Sequence, residues 1–442
     1  MNLLRRTFET LTIRNFRLFA AGQLLSVTCT WMMIIAQDWL VLSLSGDSGT
    51  ALGVVTALQF TPMLLLTLYG GRLADRHDKR LLLIAANLAS GALALLLAVA
   101  TLTGELRLWH LWVFAAALGT VNAVEAPARI AFVGEMVGPA LLPNASALSA
   151  AYFNAARVVG PALAGLLISR FDAGPVIVLN AVSYLASVLA LVLMNPAELH
   201  RGAGRPSRAG VMDGLRHVGA RPDLLLTLVL VGVIGMFGFT FQLTLPLMAK
   251  TVFHADSASF GLLASALAAG SLLGAFAATG RRSRPSAALV IGTAAAFGLL
   301  ETASGLAPGY PVALLLLAGT GFAMISFAQA ANHRLQLGAD PRYRGRLMAL
   351  YTLTVQGSTP VGALLVGWLS EHWGARAGLS AGGMVSLAAA LLALAAHRRG
   401  AARAAAPGPG SPPVPAEAAG PPSRVTGSPV PRPHDRDAAP PV

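Results

Sequence analysis

Apolar residues fall in twelve long runs, at about 16–44, 51–71, 81–103, 109–126, 146–169, 174–194, 224–248, 258–280, 286–307, 311–332, 347–370 and 376–397. Each is close to the roughly 20 residues a helix needs to cross about 30 Å of hydrocarbon. In lipid every backbone polar group must be paired inside its own segment, so such runs are predicted to be helices. The pattern predicts an all-α membrane protein of twelve transmembrane helices. The first run, from Phe16 to about Leu44, has no small-residue cleavage site after a short core, and reads as a retained helix rather than a signal peptide.

Composition agrees: 55% of the 442 residues are hydrophobic and 12% charged. The single cysteine, Cys29, excludes an intrachain disulfide and a cysteine metal cluster. A net charge of +13 would suggest nucleic acid in a soluble chain. Here the basic residues sit in alternate connections instead: 24 in the seven segments on one side, and only Arg107, Arg170, Lys250 and Arg376 in the five opposite loops. By the positive-inside rule the basic side, with both termini, is cytoplasmic. The expected partner is a lipid bilayer, not nucleic acid.

The longest internal connection divides the runs six and six, predicting a first half over 1–194, a basic linker over 195–223, a second half over 224–397 and a tail over 398–442. A weak repeat supports the division. Leu52-Gly53 opens the second run and Gly70-Gly71-Arg72 closes it, while Phe260-Gly261 and Thr279-Gly280-Arg281 bracket the eighth. Residues 401–442 hold 12 of the 27 prolines and no apolar periodicity, so the tail is expected to be disordered.

The connection after the second run reads Gly71-Arg72-Leu73-Ala74-Asp75-Arg76-His77-Asp78-Lys79-Arg80. Singly, Arg76, Lys79 and Arg80 suit any basic loop, but the ordered string resembles the signature between helices two and three of the major facilitator superfamily. Asp78 stands where that signature usually has a second glycine. The resemblance implies two six-helix halves that rock about a central site, the major facilitator fold. It also implies a gate, in which Asp75 meets the start of helix eleven at Arg344-Gly345-Arg346. Unpaired amides and the helix dipole favour an anion there.

In the fifth run, Gly160, Pro161 and Gly165 resemble the Gly-Pro motif of major facilitator antiporters, which implies export. The stretch from Pro127-Ala128-Arg129 through Leu142-Pro143-Asn144-Ala145 to Asn154, Arg157 and Gly160-Pro161 is similar to the macrolide-efflux and enterobactin-exporter branch, as is Tyr343-Arg344-Gly345-Arg346-Leu347-Met348. The resemblance covers about residues 10–397. The fourth run lacks the intramembrane arginine associated with proton coupling in many drug antiporters.

Ionisable side chains inside a membrane are costly and mark function or buried pairs. Asp38 in the first run and Arg157 in the fifth are the expected coupling and cargo residues, with Asp38 carrying a proton and Arg157 a fixed positive charge. Glu301 reads as a water-facing residue near the outer mouth, and Glu125 lies near the cytoplasmic end of the fourth run. Among the uncharged polar residues, Gln59, Asn154 and Gln242 are the expected cavity residues. Gln23, Gln37, Asn122 and the other amides are expected to bond neighbouring helices.

No Gly-x-x-x-x-Gly-Lys-Ser/Thr loop and no His-Glu-x-x-His pattern occurs in the sequence, so no enzyme, metal or cofactor is expected. The expected function is proton-coupled export of a small amphipathic drug-like molecule or siderophore. The alternatives are a nutrient or metabolite uptake symporter and a non-transporting receptor or scaffold. A monomer in a bacterial cytoplasmic membrane is expected, the arginine-rich composition suggesting a GC-rich genome.

Overall fold

A computed structural model describes residues 9–200, 219, 221–278, 283–340 and 343–405. Most of the expected linker, the repeat element at Thr279-Gly280-Arg281 and the tail beyond residue 405 lie outside the described residues. The rest is helical: α1 (Arg14–Ser45), α2 (Gly49–Arg76), α3 (Lys79–Leu102), α4 (Leu108–Phe171), α5 (Ala173–Val192), α6 (Pro222–Phe237), α7 (Phe241–Leu247), α8 (Ser257–Ala278), α9 (Ala287–Gly305), α10 (Tyr310–Gly338), α11 (Arg344–Trp373) and α12 (Ala375–Ala405).

Ten helical segments among the described residues are long and apolar enough to cross a membrane. One of them is α4, whose 64 residues bend at Gly138 and supply two crossings. Adding α11, whose 30 residues are long enough but more polar, gives the twelve crossings that the runs predict. Many leucines point outward with nothing over them, including Leu65 and Leu68 on α2 and Leu315 on α10. That is the surface lipid chains cover.

Without a hydrophobic drive between helices, close approach depends on small residues. A methyl group added at Gly119 of α4 would collide with the carbonyl oxygen of Gln59 on α2, and one at Gly362 of α11 with that of Met236 on α6. Helices therefore pack backbone to backbone around a core that includes Met32, Leu52, Phe114, Ile177, Phe260 and Phe297. The helices up to Arg398 form one compact unit.

Two departures from the sequence pattern matter for the site. Residues 127–145, expected to be a loop, are helical, and the turn is made by Gly138 alone, with φ +71°. Only glycine adopts that region without steric cost. Residues 224–248, expected as one helix, break between Phe237 and Phe241 and end in a wide turn over Met248–Val252. Irregular backbone at membrane depth is tolerated where it is buried in protein or lines a cavity.

Candidate functional site

A cavity of about 310 Å³ lies where α1, α4, α8 and α10 meet the broken helix. Trp31, Phe60, Phe239, Phe241 and Phe260 give it aromatic walls, and Asp38, Arg157 and Gln242 its polar groups. The break after α6 is what turns Phe239 inward; Phe297 of α9 holds it and Phe241 edge-on, with ring centroids 5.7 and 6.2 Å away. Asp38 is 6% exposed. It makes no hydrogen bond among the described residues, and one carboxylate oxygen is fully buried. The Arg157 guanidinium lies over Trp31, 5.8 Å from the ring centroid. Asp38 and Arg157 share this aromatic lobe without forming an ion pair.

A second lobe of about 270 Å³ shares Trp31, Ile34, Phe60 and Gln242 with the first. Its wall is polar: Gln23 and Gln37 of α1, Gln59 of α2, and Asn122 of α4 line it, with Glu125 and Arg129 pairing at 3.4 Å. The expected helix-to-helix bonding of Gln23, Gln37 and Asn122 is not what the structure has. These amides, with Gln59 and Gln242, have no hydrogen-bond partner among the described residues. Asn154 faces elsewhere: it is half-buried, donates to the Ala150 carbonyl of its own helix at 2.8 Å, and lines neither lobe.

The Gly-Pro segment packs α4 against two partners. A methyl at Gly160 would approach Trp31 Cβ to 2.7 Å, and one at Gly165 would crowd the carbonyl of Ser257. Pro161 lines the aromatic lobe, and its carbonyl leaves no room for a side chain at Gly261 of α8.

The basic-face string is divided in its roles. Asp78 has φ −61° and caps α3, accepting from the Arg80 and Leu81 amides, so the turn needs no glycine there. Lys79 pairs with Glu135 at 2.7 Å, and Arg80 donates to the Leu191 and Val192 carbonyls at the end of α5. Gly71 faces open space; Gly70, beside Ala123, is the packing glycine. Asp75, Arg76 and Arg344 are exposed and make no side-chain hydrogen bond or ion pair among the described residues. Gly345 likewise faces open space, while Arg346 lies over the Tyr343 ring. In this structure Asp75 and the start of α11 are not joined.

The opposite face is closed. Glu371, near the end of α11, accepts from Ser48 Oγ and the Thr50 amide, both at 2.9 Å, at the start of α2. Lys250 pairs with Asp47 at 2.6 Å and lies over Trp39. Ser257 Oγ donates to the Gly165 carbonyl at 3.3 Å. Each of these contacts joins one of the first six crossings to one of the last six.

Residues 6–411 match the transmembrane secretion effector family of major facilitator proteins. The chain belongs to that family. It is 28% identical to the multidrug efflux pump Tap of Mycolicibacterium fortuitum over 78% of this chain and 86% of the pump. It is 24% identical to macrolide efflux protein A of Streptococcus pyogenes over 80% and 90%. With the staphyloferrin A transporter of Staphylococcus aureus it shares 24% over 58% and 64%. Among solved structures, a bacterial homologue of the human lysosomal transporter Spinster superposes with a TM-score of 0.65 at 15% identity, covering 88% of this chain and 95% of that one. A nucleoside transporter gives 0.69 at 10%, covering 87% and 99%. The fold is that of the major facilitators, and this family member is a multi-pass membrane transporter related to drug efflux pumps and a siderophore transporter, not an enzyme.

Four residues of this secretion-effector chain gain meaning only in three dimensions. Glu371, Asp47 and Lys250 close one face; Lys250 is one of two lysines, the only signal the sequence offers. Glu301, expected to face water, is instead fully buried between α9 and α12, beside Gly382, with neither carboxylate oxygen hydrogen-bonded. Small residues on both helices leave the space for it.

Proposed function

We propose that this protein exports small amphipathic compounds in exchange for protons by alternating access, with two six-helix halves, 1–194 and 224–397, moving about the two-lobed cavity. The observation that carries the reading is Asp38: a buried carboxyl without a hydrogen-bond partner among the described residues, facing an aromatic cavity lined from both sets of crossings. A carboxyl so placed has two uses, holding a proton or meeting a cationic cargo, and competition between them is the coupling that exchange requires. Arg157 stays charged at any working pH and sets the potential of the lobe from its seat on Trp31. The basic face is taken as cytoplasmic by the positive-inside rule. On that assignment the separation of Asp75 from the start of α11 lies on the cytoplasmic side and the contacts of Glu371, Lys250 and Ser257 on the outer side, which supports a state that takes cargo from the cell. Gly160, Pro161 and Gly165 hold the outer closure by bringing α4 against α1 and α8.

The test is cargo-dependent proton movement in everted vesicles, screened with macrolides, dyes and catecholate siderophores beside the Asp38→Asn protein. Export in exchange for protons alkalinises the acidified lumen when an active compound is added, and the variant loses that response. An Asp38→Asn protein that still exports against a gradient places the proton elsewhere, with the buried Glu301 next to be tested. A correctly inserted wild type that moves no compound refutes the reading.

A further inference from the structure

We propose that the amide-lined lobe is a second binding subsite, built for the neutral, hydrogen-bond-dense part of a cargo, a polyhydroxyl or glycosyl group, whose apolar part rests in the aromatic lobe. The assignment rests on the reading that this cavity holds the cargo.

Gln23 and Gln37 are 4% and 5% exposed, yet neither amide has a hydrogen-bond partner among the described residues. Asn122, Gln59 and Gln242, on three other elements, face the same space and are equally unpartnered. A buried amide that makes no bond within the protein is unfavourable, and leucine would serve packing better at each position. Two buried amides, Gln23 and Gln37, and three half-buried ones, Gln59, Asn122 and Gln242, converging from α1, α2, α4 and α7 are explained by something that enters the lobe and bonds them.

The chemistry of the groups selects the ligand. Each amide offers both donors and an acceptor, the combination that matches hydroxyl groups. The charges in the lobe, Glu125 and Arg129, pair with each other at 3.4 Å, so no net charge is available to hold an ion. Gln242 and Trp31 belong to both lobes, so one molecule can occupy both, with its polar group among the amides and its apolar body against Phe60 and Phe239. A site built to hydrogen-bond a substrate discriminates strongly against an analogue lacking the hydroxyls, because its own buried groups are then left unmade.

The experiment is equilibrium binding to the full chain in lipid nanodiscs with two uncharged fluorescent coumarins, 4-methylumbelliferyl β-glucoside and 7-methoxy-4-methylcoumarin. They share the apolar ring and differ by the sugar. Wild type is expected to bind the glucoside at least about tenfold tighter, the effect of two or more hydrogen bonds at about fivefold each. Gln23→Leu with Asn122→Leu is expected to bring the glucoside to within about twofold of the methyl ether, with methyl ether binding unchanged as evidence of folding. Gln37→Leu alone repeats the test at a third position. Equal binding of the two probes by wild type, binding of neither, or an equal loss of both in the variants overturns the proposal and leaves the lobe a water-filled vestibule. Because binding is read without transport, a glucoside preference in a protein that moves no compound and no protons would refute proton-coupled export and keep the subsite.

Discussion

A methyl group added at Gly70 collides with the carbonyl oxygen of Ala123 on α4, whereas one added at Gly71 meets nothing within 4 Å. Both glycines are helical, so alanine gains up to about 1 kcal/mol of helix propensity at either. At Gly70 that gain is set against overpacking of two backbones, which costs about 1–3 kcal/mol. Gly70→Ala is therefore expected to lower the thermal midpoint in detergent and Gly71→Ala to leave or raise it, a pair read in one fluorescence melt. Trp31 invites a second test. Its ring seats Arg157 and lines both lobes. Replacement by leucine keeps the position apolar with a smaller side chain and removes the cation–π contact, about 0.5–2 kcal/mol. Trp31→Leu is expected to weaken cargo binding several-fold and to lower the melting midpoint modestly; an unchanged affinity would deny the ring a part in the site.

At the scale of elements, α2 and α11 run in opposite directions and present complementary ends to each other. The start of α2 receives the Glu371 carboxylate from the end of α11. The start of α11 is the expected receptor for Asp75 from the end of α2. Unpaired amides and the helix dipole favour an anion at both starts. In this structure the first contact is made and the second is not. Glu371→Gln keeps one acceptor oxygen but removes the charge. It is expected to raise labelling of a cysteine placed at Phe260, in a Cys29→Ala background, by a membrane-impermeant thiol reagent from that face, by about fivefold. Equal labelling of the two proteins would show that closure is carried by the packing of Gly49 and Gly53 against α11 alone.

For the whole molecule, alternating access requires that the two faces never open together. Cysteines at Ser48 and Glu371 are expected to cross-link readily and to stop transport. A pair at Asp75 and Arg344 is expected to cross-link only after the opposite face has opened, so its yield should rise in the Glu371→Gln background. Cross-linking of both pairs in the same molecules, with transport retained, would exclude rocking of two halves.

Length and hydropathy alone determined the class of the molecule, because a backbone in hydrocarbon has few choices and twelve runs of membrane length leave none. The Asp75 string and the Gly-Pro segment were legible because their residue order is specific, and Asp38 and Arg157 stood out as charges where charge is costly. What the runs could not carry was direction around a helix axis. Gln23, Gln37 and Asn122 have the same composition whether they bond a neighbour or face a cavity, and Asn154 shows the reverse outcome. Nor could hydropathy register the break between α6 and α7, since Gly238 and its neighbours are as apolar as a straight helix. That break turns Phe239 into the aromatic lobe, and contacts more than 300 residues apart in sequence, such as Glu371 with Ser48, shut one face. Only the tertiary structure decides these, because each depends on which faces of distant helices meet, and a uniform apolar run leaves that choice to packing.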